Sequence, residues 1–524
     1  PQVQEAINGG SAQISGMKSY EEAETLATQI RIGSLSLKLE ELESSVVGAQ
    51  LGSQAITSSL KAAAIGLVIV MVFMIVMYAV PGVAASLALM IYTALVIVTL
   101  YLFDITLTLP GIAGIILGIG MAVDANIIIF ARIREEIATG KTVQSSMKIG
   151  FKKAMSAILD GNITTLIAAV VLMGLGSGTV KGFAYTLMIG ILLSMFTALA
   201  VTRWILYALY GMGLKDEKFY GRAKERKTIH FLGKKGIFFT VSLLVIAGGL
   251  VAMGVHQVKG TGALNYGLDF VGGTSTTADF GKDYTIEQIE DQIVPVVAGI
   301  TGDNNIMANK VEGTTQITIK TRTLSLDERD ALNSALAEDF GVSEETVTSQ
   351  SISSTISGEM RSDALVAVIV STICMLIYIW FRFKDIRFGA SAIIALLHDV
   401  LVVLAVYAVL RIACMLTIIG YSINDTIVIF DRIRENMVKA TGRITDEALA
   451  EIADKSLTQT LSRSINTSIT TFVMVFMLFL FGVPSIREFA LPLMAGLICG
   501  AYSSICIATE LWYVMKVRFG KKEA

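Results

Sequence analysis

Residues 62–80, AAAIGLVIVMVFMIVMYAV, contain no charged side chain, and neither do residues 84–103, 236–254 or 364–381. A run of ~20 apolar residues is long enough to cross a bilayer as a helix, which satisfies all its backbone hydrogen bonds internally. Runs of this kind constrain the chain more than any other feature: it reads as an integral membrane protein. The composition agrees, with 53% hydrophobic residues in 524 and a net charge of −2. The charges are segregated between the runs rather than scarce. Cys374, Cys414, Cys499 and Cys506 all fall in apolar segments, so no disulfide framework is expected. No zinc-ligand spacing and no phosphate-binding glycine loop occurs, which argues against a metalloenzyme or an ATPase.

Apolar segments are predicted near 60–80, 84–103, 109–131, 155–176, 183–210, 236–256, 363–382, 388–410, 412–431, 465–483 and 488–515. Polar stretches separate them. Residues 1–58 read as the C-terminal part of a larger polar domain, with a short helix in YEEAETLATQI and a strand near LKLEELESSVVG. Residues 59–212 form a first membrane half, 213–235 a basic linker, and 236–256 the first helix of a second half. Residues 257–360 alternate as β-α-β-β-α-β, the ferredoxin-like order, and 361–517 complete the second half before a basic tail at 518–524. The basic clusters at 132–153, 215–235, 382–387 and 432–463 and the tail KVRFGKK all fall on one side, so that side is expected to be cytoplasmic and both polar domains to lie outside.

The halves repeat each other. GMAVDANIIIFARIREE begins at Gly120, and GYSINDTIVIFDRIREN begins at Gly420. GNITTLIAAVVL at 161–172 matches TSITTFVMVFML at 467–478, and KGFAYTLMIG at 181–190 matches REFALPLMAG at 487–496. A polar domain precedes each half, so the repeats are parallel, and a coupling site is expected near their interface at mid-membrane. One mismatch stands out. Gly82 to Gly120 spans 38 residues, whereas Gly389 to Gly420 spans only 31. Two crossings need about 40 residues, so a loop is expected to be missing here and the chain to break near 411–414.

Each repeat carries an aspartate inside its apolar run, Asp124 and Asp425. A charge at the bilayer centre costs ~2.5–3.5 kcal/mol on insertion scales, so such a residue is expected to face a polar interior and to relay protons or bind ions. Aligned on the glycines, Asp124 faces Asn424, and the two aspartates are displaced by one residue. Arg463 offers a cation that could hold Asp425 ionised, or could be an arginine snorkelling from a helix end. Asn126, Asn424, Asp160 and Asn162 are supporting candidates. His398 and Asp399 are read chiefly as a buried pair. Glu510 is expected to reach the membrane interface, and the Arg-Ile-Arg-Glu tails to mark helix ends.

These motifs resemble the SecD/SecF protein-export family, with both parts in one chain. PGIAGIILGIGMAVDANIIIFARIREE, GNITTLI and GTVKGFAYTLMIGILLSMFTALAVTR resemble SecD; NYGLDFVGGT, LLHDV, IGYSINDTIVIFDRIREN and QTLSRSINTS resemble SecF. The resemblance implies an α-helical polytopic membrane protein of the resistance–nodulation–division superfamily. It implies two pseudo-symmetric halves, eleven helices here and twelve in full, and α+β extracytoplasmic domains. It implies an accessory of protein export in the bacterial cytoplasmic membrane, not an enzyme, driven by a proton or sodium gradient through Asp124, Asp425 and Arg463. The implied partners are a SecY-type channel, the translocating precursor, a YajC/YidC-type accessory and lipids; no nucleic acid and no cofactor beyond the coupling ion is expected. The head of the first outer domain is expected to lie outside the sequence, and the first cytoplasmic hairpin, YAVPG, lacks the family's usual basic residue. An ion-driven exporter of lipids or small molecules, or a passive scaffold, would use a similar fold, and fold alone does not decide between them.

Overall fold

The computed structural model describes residues 19–33, 41–176, 178–223, 227–259, 262–264, 266–303, 306–311, 314–410, 422–440 and 445–519. The suspected missing loop at 411–414 lies outside these residues. The chain opens with α1 (Tyr20–Gly33) and β1 (Glu43–Val47). The first membrane half follows as α2 (Ala49–Tyr78), α3 (Val80–Leu102), α4 (Leu109–Ala138), α5 (Val143–Leu175), α6 (Gly178–Phe196) and α7 (Thr202–Gly211). The second begins with α8 (Lys235–Val258). The polar domain then runs α9 (Leu268–Val271), β2 (Gly273–Asp279), α10 (Ile286–Gln288), α11 (Val294–Thr301), β3 (Met307–Lys310), β4 (Gln316–Thr321), α12 (Leu326–Phe340) and β5 (Thr348–Ile352). The chain returns to the membrane through α13 (Ser354–Phe383), α14 (Ile386–Leu410), α15 (Ser422–Lys439), α16 (Asp446–Phe481), α17 (Pro484–Ser503) and α18 (Thr509–Phe519).

Among the described residues, ten helices are long and apolar enough to cross a membrane. The eleventh expected span, 412–431, is described only from Ser422, where it opens α15. The most enclosed is the span Pro110–Ala138, within α4. It packs on α5 and α6 of its own half and on α16 of the other. In return α15 packs on α16 and on α5. The outer helices repeat this exchange: α2 lies on α16, and α13 on α5. Each motif helix thus lies between its own successor and that of the other half, as parallel duplication requires. Both hairpins at the basic end turn through a non-glycine residue of positive φ, Ala79 at 52° and Lys384 at 55°.

The four strands of the second polar domain are antiparallel neighbours in the order β5-β2-β4-β3, which is ferredoxin-like. The first strand is shorter than its sequence suggested. Leu268–Val271 is a helical turn, and the strand begins after Gly272, where φ is 76°. A fifth strand comes from elsewhere in the chain. β1, from the N-terminal polar stretch, pairs antiparallel with β5, Glu43 opposite Ile352 and Val47 opposite Thr348. Within the stretch before the first span, Glu43–Val47 is therefore an extension of the other domain's sheet.

Candidate functional site

The candidate site lies where α4, α5, α15 and α16 meet. Close approach of these helices needs small side chains, and the sequence supplies glycines. A Cβ on Gly120 of α4 would sit 2.9 Å from Thr471 Cα on α16. A Cβ on Gly161 of α5 would collide with the side chain of Asn424 on α15. One turn beyond Gly120, Asp124 is buried in α4 at 5% exposure, followed by Asn126 at 3%. Asn126 Nδ2 donates to Ala122 O at 3.3 Å, and its Oδ1 has no partner among the described residues.

Asp425 sits in the first turn of α15, half-buried. Its Oδ1 lies 3.5 Å from the Thr467 hydroxyl of α16, and Ser468 also bonds the carboxylate. Arg463, one turn earlier on α16 and 8% exposed, interacts electrostatically with Asp425. The snorkelling alternative does not describe it: the side chain is enclosed. Arg463 also feels Arg132, Arg432 and Glu135 at the ends of α4 and α15. The sequence-predicted residues Asp425 and Arg463 are therefore brought together. Asp124 is buried on the central helix that packs against the one carrying Arg463.

The supporting candidates separate. Asp160 accepts from Arg382 Nε at 2.7 Å and from the Tyr378 hydroxyl at 2.9 Å, so it joins α5 to α13 of the other half. Asn162 Nδ2 bonds back to Ile158 O at 2.8 Å, within its own helix. His398 and Asp399 form a closed cluster of their own: Asp399 meets His398 Nδ1 at 3.0 Å, Cys499 Sγ at 3.1 Å and Ser503 Oγ at 2.7 Å. That cluster joins α14 to α17. Glu510, expected at the interface, is instead fully buried.

Two groups were not legible as site residues. Tyr78 closes α2, and its hydroxyl accepts from Asn466 Nδ2 at 3.1 Å, three positions from Arg463 and within its field. Arg134 lies over the Tyr78 ring at 4.6 Å and donates to Met77 O at 2.5 Å. The hairpin without a basic residue of its own thus receives a guanidinium from α4. The second group is the pair of Arg-Ile-Arg-Glu tails, whose duplication was the available signal.

The family model described as protein export membrane protein SecD/SecF, C-terminal, matches residues 31–211 and 333–518. The model for the P1 head subdomain of SecDF matches residues 1–37, which corrects the expectation that the head lies wholly outside the sequence. The protein translocase subunit SecDF of Bacillus subtilis is 35% identical over all of this chain and 73% of its own length. That of Brucella abortus is 34% identical over all of this chain and 68% of its own. The crystal structure of the translocon-associated SecDF of Thermus superposes with a TM-score of 0.81 at 34% identity, covering 99% of this chain and 70% of that one. A second SecDF structure, in a super-membrane-facing form, gives 0.71 at 32% identity, over 100% and 70%.

Proposed function

The chain belongs to the SecD/SecF protein-export family, in its fused form, and from that premise we propose that it couples a transmembrane ion gradient to the completion of protein export through Asp425 and Arg463. Membership makes it a multi-pass accessory of Sec-dependent translocation and sets aside the exporter of lipids or small molecules. The drive itself is our reading. The observation that carries it is one carboxylate and one guanidinium in each other's field on the adjacent helices α15 and α16, inside a helical bundle and against the other repeat.

In this reading Arg463 holds Asp425 ionised, and a proton arriving on Asp425 cancels the attraction. Arg463 then relaxes toward the basic end, and α16 shifts against α15. Asp124, with Asn126 and Asn424 beside the path, passes the proton on. One elementary charge crossing 100 mV releases ~2.3 kcal/mol, enough to bias a two-state element repeatedly though not to unfold a domain at once. Two long helices carry the shift. α2 starts beside β1 and ends at Tyr78 near Arg463; α13 starts beside β5 and reaches Arg382 on Asp160. Thirty residues of helix span about 45 Å, and the far ends are tied by the β1–β5 pair.

The reading places the protein in the bacterial cytoplasmic membrane, the basic loops inside and both polar domains outside, beside a SecY-type channel and its precursor, with a YajC/YidC-type accessory as a further partner. A sodium reading is favoured by the Thr467 and Ser468 hydroxyls on Asp425, oxygen ligands of the kind hard cations take. The test uses vesicles holding the protein and the Sec channel, with a precursor trapped part-way and ATP removed. An imposed proton gradient, or a sodium gradient in the parallel arm, drives completion in wild type and not in Asp425→Asn. Equal completion in both would refute the relay.

A further inference from the structure

The two Arg-Ile-Arg-Glu tails are not free helix ends. Arg132 Nη1 lies 3.1 Å from Glu135 on its own helix and 3.0 Å from Glu435 on the other half. Arg432 Nη1 lies 3.0 Å from Glu435 on its own helix, and its Nη2 pairs with Glu135 across the halves. Each arginine therefore bridges both glutamates, and the four residues close a ring of alternating charge. The arginines form its buried side, at 7% and 8% side-chain exposure; the glutamates form its wet rim, at 33% and 25%. Lys439 bonds the Glu435 rim at 2.8 Å. The ring is not saturated: Arg432 Nε is buried with no acceptor among the described residues.

Position gives the ring a task. Arg132 and Arg432 follow Asp124 and Asp425 by about two helical turns toward the basic loops, and Arg132, Arg432 and Glu135 all act on Arg463. Like-charge repulsion from the two arginines favours Arg463 staying with Asp425, while Glu135 is the anion that could draw it away. The ring thus lies on the basic-end side of Asp425, along the same pair of helices. The glutamates stand at the wet rim and can turn to water, so the cost of opening falls on the two buried guanidiniums.

We propose that Arg132, Glu135, Arg432 and Glu435 form a clasp between the two halves that closes the basic end of the ion path and opens once per cycle. Its role in the cycle rests on the relay reading above; the clasp itself is tested apart from export. Ala157 on α5, the repeat counterpart of Arg463, is buried at 1% exposure. The probe is Ala157→Cys in the full chain, labelled by a membrane-impermeant maleimide from the side of the ring and compared with the parent lacking that cysteine. With the ring intact, labelling is slow and accelerates under an ion gradient. In Glu135→Gln/Glu435→Gln, which removes charge at nearly constant shape, labelling without a gradient rises about tenfold and no longer responds to one. Arg132→Gln/Arg432→Gln, as a second route, gives the same change. Labelling at the intact rate in both double variants overturns the clasp. Asp425→Asn separates the two readings: a gradient response that persists there condemns the relay and leaves the clasp standing.

Discussion

At the scale of single residues, the site depends on how little some positions carry. Gly120 admits no side chain because the backbone of Thr471 is against it, and backbone yields less readily than a flexible side chain. Gly120→Ala should lower the thermal stability of the detergent-solubilised protein by about 1–3 kcal/mol, the range for overpacking a tight contact. Gly174, on the same half, has nothing within 4 Å of a built Cβ. Gly174→Ala should be neutral or should stabilise by up to ~1 kcal/mol, from helix propensity alone. Similar melting shifts in the two variants would show that the α4–α16 contact is looser than described. Asp124 and Asp425 were legible in the sequence because a charge within an apolar run is conspicuous, whereas Arg463 lies in the polar stretch SLTQTLSRSINTSITT and was marked by the family resemblance. Tyr78 was not legible, since a tyrosine at a helix end looks like an interface residue. Its role depends on Asn466, 388 positions away.

At the scale of elements, α12 shows how local rules survive intact. Ser325 caps the helix, Glu328 completes the capping box, and Arg322 grips the Glu328 carboxylate. The Arg322 hydrogen bond, followed by the Ser325 backbone N–H, holds the Glu328 carboxyl at about 2. The folded value lies below the ordinary 4.5, so the stabilisation is present above pH 4.5 and lost as pH falls toward 2. The first turn of α12 should therefore lose hydrogen-exchange protection across that window, after correction for intrinsic rates. Glu328→Gln should show low protection throughout and no step. A step of equal size in Glu328→Gln would assign it to another group. Caps, turn glycines and the β-α-β-β-α-β order were all readable beforehand, because each is set by neighbours within a few residues. The first strand was misplaced by its Gly-Gly turn: Gly272 and Gly273 both take positive φ, and the segment before them coils instead of extending.

At the scale of the whole molecule, the start of the first membrane half is tied to the polar domain beside the β1–β5 strand pair. Gly48 N–H donates to Val347 O and Ser353 N–H to Leu42 O, both at 2.9 Å. Antiparallel alternation then puts the Ser44 and Val46 N–H groups on β5. The Val46 side chain is 58% exposed, so Val46→Pro removes a ladder bond with little loss of packing. If β1 and β5 tie α2 to α13, Val46→Pro should cut gradient-driven completion at least several-fold, while Val46→Thr leaves it unchanged. Wild-type completion in Val46→Pro would mean that the strand pair transmits nothing.

The sequence by itself determined the membrane setting, the parallel duplication and the intramembrane carboxylates. Hydropathy runs, repeats and misplaced charges are properties of segments, and segments are contiguous. Tertiary structure decided which segments meet. It brought Arg132 to Glu435 and Arg432 to Glu135, gave Asp160 to Arg382, and sent β1 to the edge of a sheet some 300 residues onward. Those pairings depend on how two similar halves pack against each other. The same Arg-Ile-Arg-Glu tail could have closed on its own helix at a spacing of three residues, and in part it does. The close approach of α4, α15 and their partners, fixed by glycines and buried apolar surface, brings the second glutamate within reach of each arginine.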